Sequence, residues 1–287
     1  MRAWLIRNGF LKSQKFDHLN TLFLEAARKL DIDLQLIDNN QILAGQGLKD
    51  CDLPDFVLFW DKDILLAREL ENAGIPLFNS GDFIEICDDK RLCHQALYRA
   101  GIPLPKAYIA PMTYDQSFSN LDFLDQVEEL GFPLVVKEAF GSFGQQVYLA
   151  KDRRELEELV AGLSTTQLIF QEFIETSQGR DLRLQVVGDQ VVASMYRYSQ
   201  KDFRANVSAG GKMKPHQATR EQKDLAVRAV KALGGDFAGV DLLFGPQGKM
   251  LVCEVNSNAH FKNLLDCTGV HTEEKILAYI KEKLSHE

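Results

Sequence analysis

Residues 239–256 read GVDLLFGPQGKMLVCEVN and form the strongest pattern in the chain. Two apolar runs, 240–244 and 249–255, flank residues 245–248, which include two glycines and a proline. Apolar runs of this length that are bounded by turn-forming residues are typical of paired strands. The stretch therefore predicts a β-hairpin with a four-residue loop.

Three oxygen-bearing side chains interrupt the apolar strands of this hairpin. A four-residue loop would pair Asp241 with Val252, and side chains two residues apart on a strand point to the same face. Glu254 and Asn256 would then share one face with Val252 and with Asp241. The sequence predicts that two carboxylates and one amide oxygen gather on one patch of the sheet.

Two interpretations suit this patch. Acidic side chains of an ordinary hairpin lie on its solvated side, where they bind nothing. The flanking residues are too apolar for a surface ribbon, and acids within a largely buried sheet need a compensating partner. Oxygen ligands without His or Cys suit a hard cation such as Mg²⁺, completed by water and phosphate oxygens. We therefore predict a magnesium site at Asp241, Glu254 and Asn256.

The residues before the hairpin predict two further lobes. Residues 1–88 alternate short apolar runs with helical periodicity, which is the pattern of βαβ units and of an open parallel sheet. A helix at 89–100 follows and ends where Gly101, Pro103 and Pro105 cannot continue it. This segment is the best linker between the first lobe and the second.

The second lobe is predicted at residues 89–172 and the third at residues 173–287. The second lobe contains short strands, a glycine-containing loop and a helix predicted at 121–130. The third lobe begins with a hairpin that turns at residues 188–189, where a glycine tolerates positive φ. The predicted fold class combines α/β with α+β.

A lysine and two glycines follow the apolar strand at 134–136. Lys137 would emerge from a buried strand, which is unusual for a lysine. Gly141 and Gly144 allow backbone amides to approach phosphate oxygens, and Ser142 adds a hydroxyl donor. A plain turn is the more frequent meaning of two glycines at this spacing. The sequence leaves both interpretations open.

Two further positions are open between binding and structure. Lys90 begins a helix, where an isolated lysine is usually only solvated. Glu172 and Phe173 follow the apolar residues 168–170, where they would either present hydrogen bonds to a nucleotide or link two lobes.

Arginines alternate along the first hairpin of the third lobe. Arg183 shares a face with Asp181, and Arg197 returns on the partner strand. Two forked guanidinium groups suit carboxylate or phosphate oxygens. The alternative is that they pair with Asp181 or Glu175 on the surface.

Composition excludes several function classes. The net charge is −8 and the basic residues are scattered, which disfavours nucleic acid and acidic membrane surfaces as partners. The five cysteines contain no CxxC pair and predict neither disulfides nor zinc. No apolar run is long enough to span a membrane, and residues 1–10 lack the stretch of a secretion signal, so we expect a cytoplasmic protein.

Taken together and in order, these motifs resemble the RimK-like branch of the ATP-grasp superfamily from about residue 88 to the C-terminus. The matching motifs are Gln171-Glu172-Phe173-Ile174, Gly179-Arg180-Asp181-Leu182-Arg183, Val187-Gly188-Asp189, Asp202-Phe203-Arg204-Ala205-Asn206, Gly239-Val240-Asp241 and Glu254-Val255-Asn256. The resemblance implies an ATP-grasp fold with an N-terminal pre-ATP-grasp lobe.

The resemblance also implies ATP as a ligand and Mg²⁺, or Mn²⁺ in its place, at Asp241, Glu254 and Asn256. The nucleotide would contact Lys90, Lys137, Gly141, Ser142, Gly144, Glu172, Phe173, Asp181, Arg204 and Asn206. For the acyl phosphate, we assign Arg183, Arg197 and Arg204.

The implied activity is that of an ATP-dependent carboxylate–amine ligase acting through an acyl phosphate. It would add a small, glutamate-like amino acid to a peptide, protein or small-molecule acceptor. Residues 257–263 read SNAHFKN instead of the Ser-Pro-Gly segment of glutamate-adding members. The motifs Phe261-Lys262-Asn263 and Thr268-Gly269-Val270 look more like LysX-type ligases, which act on an amino-group carrier protein. An inactive ATP-binding regulator and a phosphotransferase are the alternatives, and homo-oligomerisation is left open.

Overall fold

The computed structural model describes residues 1–11, 13–49, 51–115, 117–142, 144–207 and 210–286. Across these residues the fold is mixed α/β, with one parallel sheet and two antiparallel sheets. This architecture confirms the predicted fold class. Over the same ranges, no helix has both the length and the hydropathy that a membrane crossing needs.

The first sheet is parallel throughout, as predicted. Its strands, in the spatial order β2-β1-β3-β4, are β1 (Arg2–Arg7), β2 (Asp33–Asp38), β3 (Phe56–Trp60) and β4 (Leu77–Phe78). Its helices are α1 (Gln14–Lys29), α2 (Ile64–Asn72) and α3 (Gly81–Asp88). Because the strands are parallel, their carboxyl ends lie along one edge of the sheet.

The second sheet is antiparallel and has the spatial order β5-β8-β6-β7. Its strands are β5 (Ala107–Ile109), β6 (Leu134–Glu138), β7 (Val147–Ala150) and β8 (Leu168–Glu172), and the accompanying helices are α4 (Lys90–Arg99), α5 (Leu124–Val127) and α6 (Arg153–Gly162). The helix predicted at 121–130 is shorter than expected. It begins without a side-chain cap at Phe123 and tightens into a 3-10 turn before Gly131, whose φ is +78°.

The third sheet is antiparallel with the spatial order β11-β10-β9-β12-β13. Its elements are β9 (Arg180–Val187), β10 (Gln190–Tyr198), β11 (Lys212–Pro215), α7 (Arg220–Ala232), β12 (Phe237–Phe244), β13 (Met250–Asn256), α8 (Lys262–Thr268) and α9 (Thr272–His286). The predicted turn at residues 188–189 is confirmed, with Gly188 at φ +56°.

The loop of the last hairpin is one residue longer than predicted. Phe244 pairs with Met250, and Val252 lies opposite Leu242 rather than opposite Asp241. This shift alone would turn the two acids to opposite faces, since a slip of one residue inverts every side chain. The turn adopts the longer form with Gln247 and the following glycine both at positive φ.

A β-bulge in β13 returns Glu254 to the same face of the sheet as Asp241. The pairing shifts next to Asp241, which lies directly opposite Glu254, so Cys253 is an extra residue on its strand. The predicted register was therefore wrong by two residues, but its parity was right. Asp241, Glu254 and Asn256 share one face, as predicted.

Hydrophobic cores join the first sheet to the third. Phe23 of α1 packs in one cluster with Phe237 and Phe261, while Phe83 of α3 packs in another with Val240. The second sheet has a separate core built around Phe170. The lobe boundaries at residues 88 and 172 stay a prediction.

A buried asparagine adds polar bonds between the first sheet and the third. Asn79 is fully buried; its oxygen accepts from the backbone N–H of Asp236 at 2.9 Å and of Phe237 at 3.2 Å. Its nitrogen donates to the carbonyls of Phe237 at 3.0 Å and Ser257 at 3.3 Å. All hydrogen-bonding capacity of this amide is used between the two sheets.

Candidate functional site

A cavity of about 680 Å³ lies between the three sheets. Each sheet contributes to its lining, for example through Asp61, Lys137 and Asp241. The site residues that the sequence predicted all line this cavity: Lys90, Lys137, Gly141, Ser142, Gly144, Glu172, Phe173, Asp181, Arg183, Arg197, Arg204, Asn206, Asp241, Glu254 and Asn256.

The last hairpin forms the acidic wall of the cavity. Asp241 and Glu254 lie side by side on paired strands, and Asn256 follows on the same face. The side-chain nitrogen of Asn256 is buried and has no hydrogen-bond partner among the described residues. An unsatisfied buried amide is costly unless a ligand completes it, and either end of an Asn side chain can face the cavity.

Two arginines hold the acidic wall in place. Arg183 binds both oxygens of Asp241, through Nε and, at 2.8 Å, through Nη2. Arg197 donates to both oxygens of Asp181 at 2.7 Å and approaches Asp241 at 2.9 Å. The alternative pairing with Asp181 therefore occurs for Arg197, but inside the protein rather than on its surface, whereas Arg183 pairs with Asp241.

The two carboxyls of this network have opposite pKa shifts. Burial raises the pKa of Asp181, although the charge of Arg197 opposes this effect. Burial would also raise the pKa of Asp241, but Arg183 and Arg197 together outweigh it and hold that pKa below its usual value. Asp241 is thus a fixed anion, as a metal ligand or an arginine partner must be.

Two lysines line the same cavity as the acidic wall. Lys137 is only 8% exposed, and its Nζ lies 3.7 Å from Cys253 Sγ. Lys90 Nζ donates to the carbonyl of Gly141 at 3.1 Å. Burial lowers the pKa of Lys90, and the charge of Lys137 lowers it further. Neither lysine forms an ion pair with a carboxylate of the described chain, so both charges are available to an anionic ligand.

The glycine loop has backbone conformations that only glycine adopts easily. Gly141 has φ +137° and Gly144 has φ +74°. A Cβ atom on Gly141 would lie 2.2 Å from Oε1 of Gln146, so a side chain here would displace Gln146 and would also strain the backbone. Ser142, between the two glycines, is exposed. Phe143 lies outside the described residues.

Arg204 lies at the glycine loop and not beside the other two arginines. Its Nη1 donates to the carbonyls of Gly144 at 2.5 Å and Val147 at 3.3 Å. Asp202 binds its Nε and Nη2 at 3.0 and 2.7 Å, and this hydrogen bonding lowers the pKa of Asp202. Arg204 therefore joins residues 202–206 to the loop, and Asn206 lies against the open side of Gly144.

Glu172 and Phe173 connect the second sheet to the third. Glu172 Oε1 accepts from the backbone N–H of Lys106 at 2.7 Å, and the Glu172 N–H donates to the Lys106 carbonyl at 2.9 Å. Phe173 meets Phe203 edge-on at 6.2 Å between ring centroids. Both residues line the cavity at this connection.

The donors on the acidic wall fit a hard divalent cation. Two carboxylates and one amide supply oxygen only, which suits Mg²⁺ or Mn²⁺. Clusters of three or more His, Cys, Asp or Glu side chains with metal-binding geometry are absent from the described ranges. A cation at this wall would therefore need water or phosphate oxygens to complete its shell.

The sequence reasoning missed the part of the cavity formed by the first sheet. Asn8 and Asp61 follow β1 and β3, and Asn258 follows β13; all three line the cavity. A signal was available, because ligands of parallel sheets bind beyond the carboxyl ends of the strands. Polar residues directly after the apolar strands β1 and β3 satisfy that rule.

Comparisons with known proteins agree with this architecture. N-acetylaspartylglutamate synthase A of Homo sapiens is 36% identical over 205 residues, which cover 70% of this chain and 51% of that protein. The chain thus spans about half the length of this human relative. Glutamate–LysW ligase ArgX of Sulfurisphaera tokodaii is 34% identical over 223 residues, which cover 75% of this chain and 76% of that protein.

A solved structure and a family match complete the comparison. D-alanine–D-alanine ligase from Bacillus anthracis, in complex with ATP, superposes with a TM-score of 0.75 over 98% of this chain and 96% of that one. Its sequence identity is 22%, so it shows the fold alone. Residues 87–280 match the family described as the RimK-like ATP-grasp domain. The chain therefore belongs to the RimK-like ATP-grasp family of ligases.

Proposed function

We propose that the chain is an ATP- and Mg²⁺-dependent ligase that joins a carboxylate to an amine through an acyl phosphate in the cytoplasm. One observation carries the proposal. The oxygen donors of Asp241, Glu254 and Asn256 share one cavity with Lys90 and Lys137, two cations that form no ion pair within the described residues. A triphosphate with its metal ion has matching charges, negative toward the lysines and positive toward the acids.

The nucleotide would lie between the second sheet and the third. Lys90 and Lys137 supply positive charge for the phosphates, and the amides between Gly141 and Gly144 supply donors. Glu172 and the neighbouring Phe173 would border the adenine and ribose, where the chain passes from one sheet to the other. Asp181 and Asn206 line the same nucleotide space and complete it in this proposal.

The metal ion would be held by Asp241, Glu254 and Asn256. When bound there, it neutralises charge on the phosphoryl oxygens during transfer. The chain prepares this position in advance, because Arg183 and Arg197 fix Asp241 before any ligand arrives. Preorganised charge of this kind avoids reorganisation during the reaction.

The reaction has two steps in this proposal. An oxygen of the substrate carboxylate attacks the γ-phosphorus of ATP, the bond to the β-phosphate oxygen breaks, and ADP leaves. The amine nitrogen then attacks the activated carbonyl carbon, loses its proton and displaces inorganic phosphate. Arg183 and Arg197 would stabilise the acyl phosphate, while Arg204 would keep the glycine loop in place above it.

Relatives suggest the substrates. By their names, one joins glutamate to LysW and another synthesises N-acetylaspartylglutamate. We therefore propose a glutamate-like amino acid as the amine and, as the carboxylate, a peptide, protein tail or small acid.

Trapping of the intermediate tests the proposal. Hydroxylamine converts an acyl phosphate to a hydroxamate, so the chain is incubated with ATP, Mg²⁺, hydroxylamine and a panel of N-acylated amino acids, small di- and tricarboxylic acids and peptides with C-terminal glutamate. We expect Mg²⁺-dependent ADP release and a hydroxamate mass for at least one carboxylate. The same acid with L-glutamate in place of hydroxylamine gives a product lighter by one water than the summed reactants.

Two results would reject the ligase. ADP release that yields a phosphorylated product stable to amines would identify a phosphotransferase instead. ATP binding with no carboxylate-dependent ADP release across the panel would leave an ATP-binding regulator.

A further inference from the structure

The cavity has a second polar region where the first sheet ends. Asp61 follows β3 and is only 7% exposed. Its Oδ1 accepts from the backbone N–H of Lys62 at 2.8 Å and from Asn8 Nδ2 at 3.1 Å. Its Oδ2 is buried and has no hydrogen-bond partner among the described residues.

Asn258 brings a second unused acceptor to the same place. Its Nδ2 donates to the backbone carbonyl of Asp61 at 2.9 Å, which fixes the orientation of the amide. The opposite end, Oδ1, is buried and again lacks a partner within the described chain. Rotating the amide would place two oxygens against each other, so the acceptor end is directed away from the Asp61 carbonyl.

Neighbouring cations do not neutralise Asp61. Arg7 lies at the end of β1 and binds Asp38 at 2.5 Å, and Lys62 binds Asp88. The carboxylate of Asp61 therefore keeps its charge without an ion-pair partner in the described residues. Burial raises the pKa of Asp61, although hydrogen bonds from Lys62, Asn8 and Asn39 oppose this effect.

We infer that Asp61 and Asn258 bind the protonated amino group of the amine substrate. An ammonium group has three donors and no acceptor, and its positive charge would pair with the carboxylate of Asp61. An anionic group would face two acceptors and is disfavoured. A bare Mg²⁺ needs about six oxygens, whereas this pair offers two. The inference rests on the proposed function, because it assigns that reaction's amine to this end of the cavity.

Such a pair acts on binding more than on turnover. The amine attacks only after losing a proton, so Asp61 and Asn258 stabilise the bound substrate and not the attacking nucleophile. Removing the charge of Asp61 is therefore expected to raise KM for the amine more than it lowers kcat. A merely structural residue would not separate the two constants in this way.

Calorimetric titration tests the inference directly. The full chain, saturated with Mg²⁺ and a non-hydrolysable ATP analogue, is titrated with L-glutamate, then with the other amino acids, and with glutarate, which matches glutamate but lacks the amine. The variants are Asp61→Asn, which keeps the shape of the side chain, and Asn258→Ala. Asp17→Asn is the charge-matched control, because Asp17 is an exposed residue of the same cavity.

We expect the wild type to bind its amino acid more tightly than the deaminated analogue. Asp61→Asn should weaken binding of the amino acid about 10- to 100-fold, as expected for losing a charge-assisted hydrogen bond. The affinity for glutarate should stay within about 2-fold of the wild-type value. Asn258→Ala should act in the same direction, and Asp17→Asn should change neither ligand.

Several outcomes would overturn the inference. These are an Asp61→Asn variant that binds the amino acid like the wild type, equal binding of glutamate and glutarate by the wild type, an equal loss in Asp17→Asn, or no binding of any amino acid. An Asp61-dependent heat from K⁺ or Mg²⁺ alone would make the pair a cation site instead. Hydroxamate formation does not use this region, so its presence or absence judges the proposed ligase chemistry separately.

Discussion

Replacing Asp241 with Asn should damage the protein in two separable ways. The carboxylate is 5% exposed and is shared by Arg183 and Arg197. Asn at this position removes one negative charge. Within the described residues, Asp181 is then the one carboxylate left to pair with the two buried guanidinium groups. Breaking a buried ion pair in this way costs about 3–5 kcal/mol. For a chain of this size we expect Tm to fall by roughly 6–20 °C without any ligand.

The matched variant is Glu254→Gln. Glu254 lies directly opposite Asp241 but forms no ion pair with a described residue, so its loss should change the free energy of unfolding by less than about 1 kcal/mol. Both residues are proposed metal ligands. Each variant should therefore lose the stabilisation that Mg²⁺ with ATP gives the wild type, which is about 2.7 kcal/mol at a hundredfold excess over Kd.

Thermal unfolding followed by dye fluorescence, with and without ATP and Mg²⁺, distinguishes the two effects. A ligand-free Tm of Asp241→Asn within about 2 °C of the wild type would refute the buried-network argument. If Glu254→Gln kept the full Mg²⁺-dependent shift, the metal assignment would be wrong. EDTA with ATP serves as the control for nucleotide binding without the metal.

Three further predictions concern the glycine loop, Lys90 and Asp61. Gly141→Ala should weaken ATP binding at least about 10-fold, because the new Cβ would meet Gln146 at 2.2 Å. The control is Gly162→Ala, which has open space around it and should bind ATP like the wild type. Lys90 has a pKa below the usual 10.5, so ATP affinity should fall as pH rises through that lowered pKa and the lysine loses its charge. A Lys90→Arg variant should keep its ATP affinity over the same pH range. Equilibrium binding measures both. Because the pKa of Asp61 is raised, the folded chain binds a proton at this carboxyl more readily than the unfolded chain. The free energy of unfolding therefore falls as pH rises through the pKa of the folded state. Asp61→Asn should raise Tm at pH 7 by roughly 1–4 °C.

The alternation of apolar and polar residues was sufficient to predict much of the fold and the acidic wall. The parallel first sheet and the turn at residues 188–189 were both predicted from these patterns. The common face of Asp241 and Glu254 was also predicted, but through a register that a longer loop and the bulge at Cys253 both altered. Neither feature has a local sequence signal, because bulges depend on packing across the sheet.

The part that escaped prediction depends on which residues meet across long distances in sequence. Arg183 and Arg197 were expected to be close together, but their shared contact with Asp241 required the order of β10, β9 and β12 in the sheet. The Asp61 region required the first sheet to pack against the segment that carries Asn258. Periodicity predicts which face a side chain occupies and carries no information about such neighbours.

The separate core of the second sheet has a consequence for how substrates enter. Because the first and third sheets share their cores and the strands of the second sheet have a core of their own, we expect the second sheet to move more easily than the first and third sheets move relative to each other. The polar bonds that this movement would break include those from Lys90 to Gly141 and from Arg204 to Gly144. Such bonds exchange readily with water, so we expect the cavity to open when it admits the nucleotide and to close on a bound triphosphate.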